Sequence, residues 1–158
     1  MKPTSVKEIR EQLQFLEPYE LQEVILRLAR FKKENKELLT YLLFKAKDED
    51  AFIDEVEREI EADFQGINRN SYFYMKKSMR RILRNVKKYS RYSGKKETES
   101  VLLLCYLKNM NEISPSVHRD RVLKKLYQRQ REKLELHIST LHEDLQFDLK
   151  RELDLLPH

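Results

Sequence analysis

Glycine is nearly missing from this chain. Only Gly66 and Gly94 occur among 158 residues, with four prolines beside them. A β-sandwich or an α/β nucleotide fold needs many more tight turns, so their scarcity argues against both. Cysteine occurs once, at Cys105, which excludes an internal disulfide and fits a reducing compartment. Tryptophan is absent. No uncharged apolar run approaches the roughly 18 residues that a membrane span requires. The longest dense runs are Leu38–Phe44 and Val101–Leu107. Residues Met1–Arg10 lack the apolar core of a secretory signal. Together these absences predict an all-α, cytoplasmic protein with no membrane span.

One further absence is local. Between Phe64 and Lys96 there is no Asp or Glu, while eleven Lys and Arg are present. The stretch just before it, Asp48–Asp63, holds nine acids and a single base, Arg58. The two blocks contribute +11 and −8, so of the net +5 only +2 falls on the rest of the chain. The basicity is therefore local, and local charge decides what a surface binds.

What is present is helical periodicity. Ser5 and Glu8 have capping-box spacing, followed by Ile9, Leu13 and Leu16. Pro18 suits a first helical turn, from which Leu21, Val24, Ile25, Leu28 and Phe31 form a stripe. Leu38–Phe44 reads as a helix apolar nearly all round, predicting burial of Leu39 and Leu42. Asp48 or Asp50 can cap the next helix, with Phe52, Ile53, Val56, Ile60 and Phe64 facing inward. Gly66, Asn68 and Asn70 end it, and Ser71 can cap the basic helix that runs to about Tyr92. Val101–Met110 is the second all-round apolar helix, so Leu103 and Leu107 should be buried. Ser114-Pro115 reads as a cap followed by a first-position proline. A stripe from Val122 to Leu156 follows, with a break expected near Ser139–Thr140, where Thr140 and Glu143 have capping-box spacing.

These signals predict one domain over residues 1–158, with seven or eight helices in stacked antiparallel hairpins. Either a short repeat-like superhelix or a bundle fits. Ile25-Leu26-Arg27 and Leu38–Leu42 are echoed by Ile82-Leu83-Arg84 and Leu103–Leu107, suggesting a pseudo-repeat of 18–65 and 71–135. Leucine-rich helices also produce such matches by chance.

Catalytic patterns fail on inspection. His118-Arg119-Asp120 resembles a fragment of a kinase catalytic loop, but Lys124 stands where that loop needs asparagine, and no glycine-rich loop accompanies it. His137 and His142 are five apart, which does not place two imidazoles on one helix face. Glu55, Glu59 and Asp63 form a carboxylate ladder without the Glu-x-x-His partner of a bundle metal site. Cys105 lies in an apolar run and should be a small buried hydrophobe. No enzymatic activity, cofactor, metal or small-molecule substrate is inferred.

The basic helix is the candidate site. With Lys76 at 0°, Tyr72, Met75, Met79, Ile82, Leu83, Val86 and Tyr89 fall between about 220° and 340°. The bases fall between 0° and about 140°. If the flanking helices pack antiparallel across the short turn, Asp63 approaches Tyr72, Glu59 approaches Lys76 and Glu55 approaches Arg80. Lys76, Lys87 and Arg80 would then be neutralised. Lys77, Arg81, Arg84, Lys88 and Arg91 would remain in solvent, with Phe73, Tyr74 and Tyr92 on the same side. Bases interleaved with aromatics suit phosphate contact and base stacking. The expected function is a non-enzymatic module whose partner is nucleic acid. The alternative is an interaction scaffold docking an acidic or helical protein. A membrane-surface role fits less well, because the apolar arc is committed to the core.

Overall fold

The computed structural model describes residues 1–158 and is all-helical. Its elements are α1 (Val6–Leu13), α2 (Pro18–Phe31), α3 (Lys33–Thr40), α4 (Glu49–Gln65), α5 (Tyr72–Ser93), α6 (Lys96–Glu112), α7 (Arg121–Ile138) and α8 (Glu143–Asp154). A π-turn spans Tyr41–Lys45 and a 3-10 turn spans Val117–Arg119. The chain forms two compact units, Met1–Phe44 and Lys45–His158.

In the first unit the capping box at Ser5 is complete. Glu8 N donates to Ser5 Oγ at 3.3 Å and Ser5 N donates to the Glu8 carboxylate at 2.8 Å. Pro18 opens α2 at its first turn, where a missing N–H costs nothing. Asn35 Nδ2 donates to Leu28 O at 2.8 Å, tying α3 to α2. The expected apolar helix over Leu38–Phe44 is corrected. Regular winding starts at Lys33 and stops at Thr40, and the wider turn that follows buries only Tyr41. Leu42 is 54% exposed, Leu43 and Phe44 more so, and Leu39 is only half-buried. The change of hydrogen-bond register turns these side chains off the stripe that α3 presents to α2.

The second unit is a bundle organised around α6. Leu102 to Leu107 are buried without interruption, as are Thr98, Ser100 and Met110. A helix apolar on every side is stable only with neighbours on every side. Four supply it. Helix α4 runs alongside, with Phe64 packed on Tyr106 at 5.5 Å, and α5 returns antiparallel, where the Tyr106 hydroxyl donates to Met79 O at 3.1 Å. Helix α7 is antiparallel too, since Lys133 meets Glu99 near one end and His118 meets Asn111 near the other. Helix α8 closes the last side: Lys108 pairs with Glu152, and Arg131 donates to Leu153 O at 2.9 Å.

Caps fix the ends. Asp48 caps α4, Ser71 caps α5, and Gly94 ends α5 in the left-handed conformation at φ 69°. Position 94 favours glycine, because a side chain is strained there. Two expected caps are corrected. Ser114 caps nothing: its bond to Pro115 is cis, Ser116 caps the 3-10 turn, and Asp120 caps α7 through Val122 N and Leu123 N, both at 2.9 Å. The break near Ser139–Thr140 is real, but Thr140 Oγ1 donates back to His137 O and His142 caps α8.

Leu103→Ala should destabilise the protein by about 2–5 kcal/mol, because the side chain sits where four helices meet. Leu42→Ala should change stability by less than about 0.5 kcal/mol. Urea unfolding measures both, and equal effects would contradict the burial difference.

Candidate nucleic-acid interface

Helix α5 sorts its residues as its periodicity predicts: Met75, Met79, Ile82, Leu83, Val86 and Ser90 are buried. Tyr72 and Tyr89 lie at the edges of that arc, and each keeps its hydroxyl bonded. Tyr72 donates to Ser116 O at 2.9 Å, and Tyr89 donates to the Glu59 carboxylate at 2.8 Å.

The basic arc divides in two. Residues between about 0° and 100° on the wheel line a continuous depressed surface. One depression, of about 570 Å³, is lined by Arg84, Lys87, Arg91, Lys95 and Lys133, with Ser90, Gly94 and Glu99. A second, of about 450 Å³, is lined by Phe73, Lys76, Lys77, Arg80 and Arg84. Arg84 belongs to both. Lys77, Arg80, Arg84, Lys87 and Arg91 make no hydrogen bond or ion pair within the chain, while Lys76 is paired with Asp120 at 2.9 Å and Lys95 with Glu49 at 3.0 Å. From Phe73 to Arg91 the surface runs about 27 Å along α5. Phe73 is 72% exposed, its ring meeting Tyr74 edge-on at 5.5 Å between centroids.

Residues beyond about 120° turn toward α4 instead. Arg81 is held by Asp63 at 3.1 Å, so it is not one of the unpaired cations expected there. Lys88 lies over the Tyr89 ring at 4.8 Å, and Tyr92 meets Tyr89 edge-on at 6.0 Å. Of the eight expected site residues, the structure brings Lys77, Arg84, Arg91 and Phe73 to the groove, while Tyr74 lines neither depression and meets the Phe73 ring. It sends Arg81, Lys88 and Tyr92 to the α4 side. The antiparallel pairing of α4 and α5 is found, but its register is corrected. Asp63 meets Arg81 rather than Tyr72, and Glu59 meets Tyr89 rather than Lys76. The linker Gly66–Ser71 does not turn back at once. Ile67 is buried, and the first two turns of α5 extend past the end of α4 to reach Ser116 and Asp120.

That shift frees bases which the expected register had neutralised. Arg80 and Lys87 lie on the flank away from α4 and form the groove wall. Lys133, on α7, was not foreseen either, since its role depends on which helix lies beside α5. The opposite side of α6 is acidic. Glu57, Glu61, Glu112 and Glu152 surround a depression with Lys108 as its one base and Cys105 among its lining. Burial, reinforced by Asp54 and Glu61, raises the Glu57 carboxyl above its ordinary value. Burial likewise pushes the Cys105 thiol up to about 12, so it is an unreactive thiol at neutral pH.

The groove ends at a polar corner. Lys133 donates to Glu99 at 2.7 Å, and His137 Nδ1 lies 3.7 Å from the other Glu99 oxygen with no hydrogen bond. Burial alone would raise the Glu99 carboxyl. The hydrogen bond and charge of Lys133, with His137 and Lys96, hold it below its ordinary value. Burial lowers His137, aided by Lys133 and Lys96 and opposed by Glu99. A histidine lowered in the folded state contributes stability above the unfolded value near 6.5 that is lost as pH falls below it. His118, lowered by burial beside Tyr127, acts in the same sense.

Stability should therefore decline as pH falls from about 6.5 toward 5, and His137→Gln should flatten that decline. Urea unfolding across this range provides the check, and an unchanged slope in the variant would contradict the assignment. In comparisons with known proteins, no family model, no curated protein and no solved structure matches the chain.

Proposed function

We propose that this protein is a non-enzymatic nucleic-acid-binding module that holds phosphates in the groove along α5. The observation that carries the proposal is the set of unpaired cations Lys77, Arg80, Arg84, Lys87 and Arg91 along one wall. Clustered like charges repel, and an anionic polymer offsets that repulsion along its whole length. Lys133 narrows the groove from the α7 side. Phe73 offers an exposed ring among the cations, on which an unpaired base can stack, so single strands are favoured over duplex. Such contacts touch phosphates and base faces but not base edges, so binding is sequence-tolerant.

The second reading, a scaffold for an acidic protein partner, draws on the Arg81–Asp63 pair, in which a carboxylate already engages this helix. Binding to mixed-sequence oligonucleotides, measured across salt concentrations, separates the two. Five phosphate contacts give a log–log slope of about −3.5 on single strands and about −4.5 on duplex. Arg84→Glu with Lys87→Glu should abolish binding, while stability stays within about 0.5 kcal/mol because both side chains are exposed. Phe73→Ala should weaken single-strand binding by about 1–3 kcal/mol and leave duplex binding unchanged. Absence of any salt-dependent binding at low ionic strength would overturn the nucleic-acid reading and favour the acidic protein partner.

A further inference from the structure

The first unit has helices but almost no interior. No residue of α1, α2 or α3 is buried, and Tyr41 is the one buried hydrophobic residue before Phe52. Yet α2 is patterned like a core helix, with Leu21, Val24, Ile25, Leu28 and Phe31 at spacings of three and four. Val24, Ile25, Leu28 and Phe31 are 40%, 43%, 53% and 80% exposed. Helix α1 adds Val6, Ile9 and Leu13, also exposed. Helices of eight and fourteen residues are marginal in water unless an apolar face is packed. Within the unit α2 packs chiefly on the short α3.

The charges on α2 say what kind of surface completes it. Glu17, Glu20 and Glu23 occupy its first half and cap, while Arg27 and Arg30, followed by Lys32 and Lys33, occupy its end. Consider two copies of α2 crossing antiparallel about a two-fold axis near Val24. Glu20 of each copy then faces Arg27 of the other along one flank of the stripe. Leu21 faces Leu28, and Val24 meets its own counterpart on the axis. Every favourable pair occurs twice, as isologous symmetry requires. A parallel arrangement would pair no Glu with an Arg across the seam. The exposed apolar side chains of α1 and α2 amount to on the order of 500 Å². With the stems of the flanking charges, that approaches the roughly 800 Å² per partner of a stable interface.

We infer that α2 forms the seam of a homodimer, its apolar face covered by the same face of a second copy of this chain. The inference is independent of the nucleic-acid reading and concerns a different surface.

Sedimentation and light scattering on the full chain at tens of micromolar test it. The expected particle has twice the 19.3 kDa chain mass. Glu20→Arg alone or Arg27→Glu alone should raise the dimer Kd about tenfold, since each creates two repulsive pairs. The double exchange, Glu20→Arg with Arg27→Glu, should return Kd to within about threefold of the original. Arg27 is exposed, so circular dichroism should show unchanged helicity for Arg27→Glu, whereas Glu20→Arg also removes the capping bond that Glu20 accepts from Glu17 N at 2.8 Å and should lose some helix. Val24→Cys should form an intermolecular disulfide under mild oxidation, because the residue lies on the axis and Cys105 is buried. A monomeric particle with full helicity at 100 µM (~10⁻⁴ M) would overturn the inference. So would a dimer that neither reversal weakens and Val24→Cys does not cross-link.

Discussion

Everything in the second unit follows from a helix that water cannot be allowed to touch. Six consecutive buried residues, Leu102–Leu107, leave the middle of α6 without a solvent face. Four neighbours are needed, and once α4, α5, α7 and α8 have taken their places each is left one outward side. Helix α5 carries no acid, so its outward side is basic by necessity. The groove is thus the outer surface of an element whose inner surface is fixed by packing. That explains how eight cations can gather around the groove without weakening the core: none of them is buried.

The two sides of α6 are electrically opposite. Toward α5 and α7 the surface holds Arg80, Arg84, Lys87, Arg91 and Lys133. Toward α4 and α8 it holds Glu57, Glu61, Glu112 and Glu152. Acids of α4 reach the basic helix along one flank, through Asp63 and Glu59, and at its C-terminal end, where Glu49 accepts from Ser93 and pairs with Lys95. A surface so divided orients an approaching polyanion before contact, and salt weakens that orientation.

Much of this was legible in the sequence. Periodicity placed the buried arc of α5 correctly, because a helix wheel depends only on the local repeat. The caps Ser5 and Ser71 were legible for the same reason, each being a contact across three residues, and Asp48 was one of two candidates beside Asp50. What depended on distant partners was not. The register of α4 against α5 turned on where Ile67 is buried, and nothing within the linker reveals that. The fates of Arg81, Lys88 and Tyr92 followed from it. Lys133 lies 42 or more residues from the α5 cations it joins, and no local pattern links them. The stripe over Leu38–Phe44 misled because apolar composition shows what could be buried, not what covers it.

The central claim is that the α5 groove, and not the α4 flank, holds the phosphates. Backbone amide spectra of the isotopically labelled protein, titrated with a short mixed-sequence single strand, test this most directly. The shifts should concentrate at Phe73, Lys77, Arg84, Lys87, Arg91, Gly94 and Lys133, and reverse on adding salt. Shifts centred on Asp63, Arg81 and Lys88, or no shifts at low ionic strength, would contradict it.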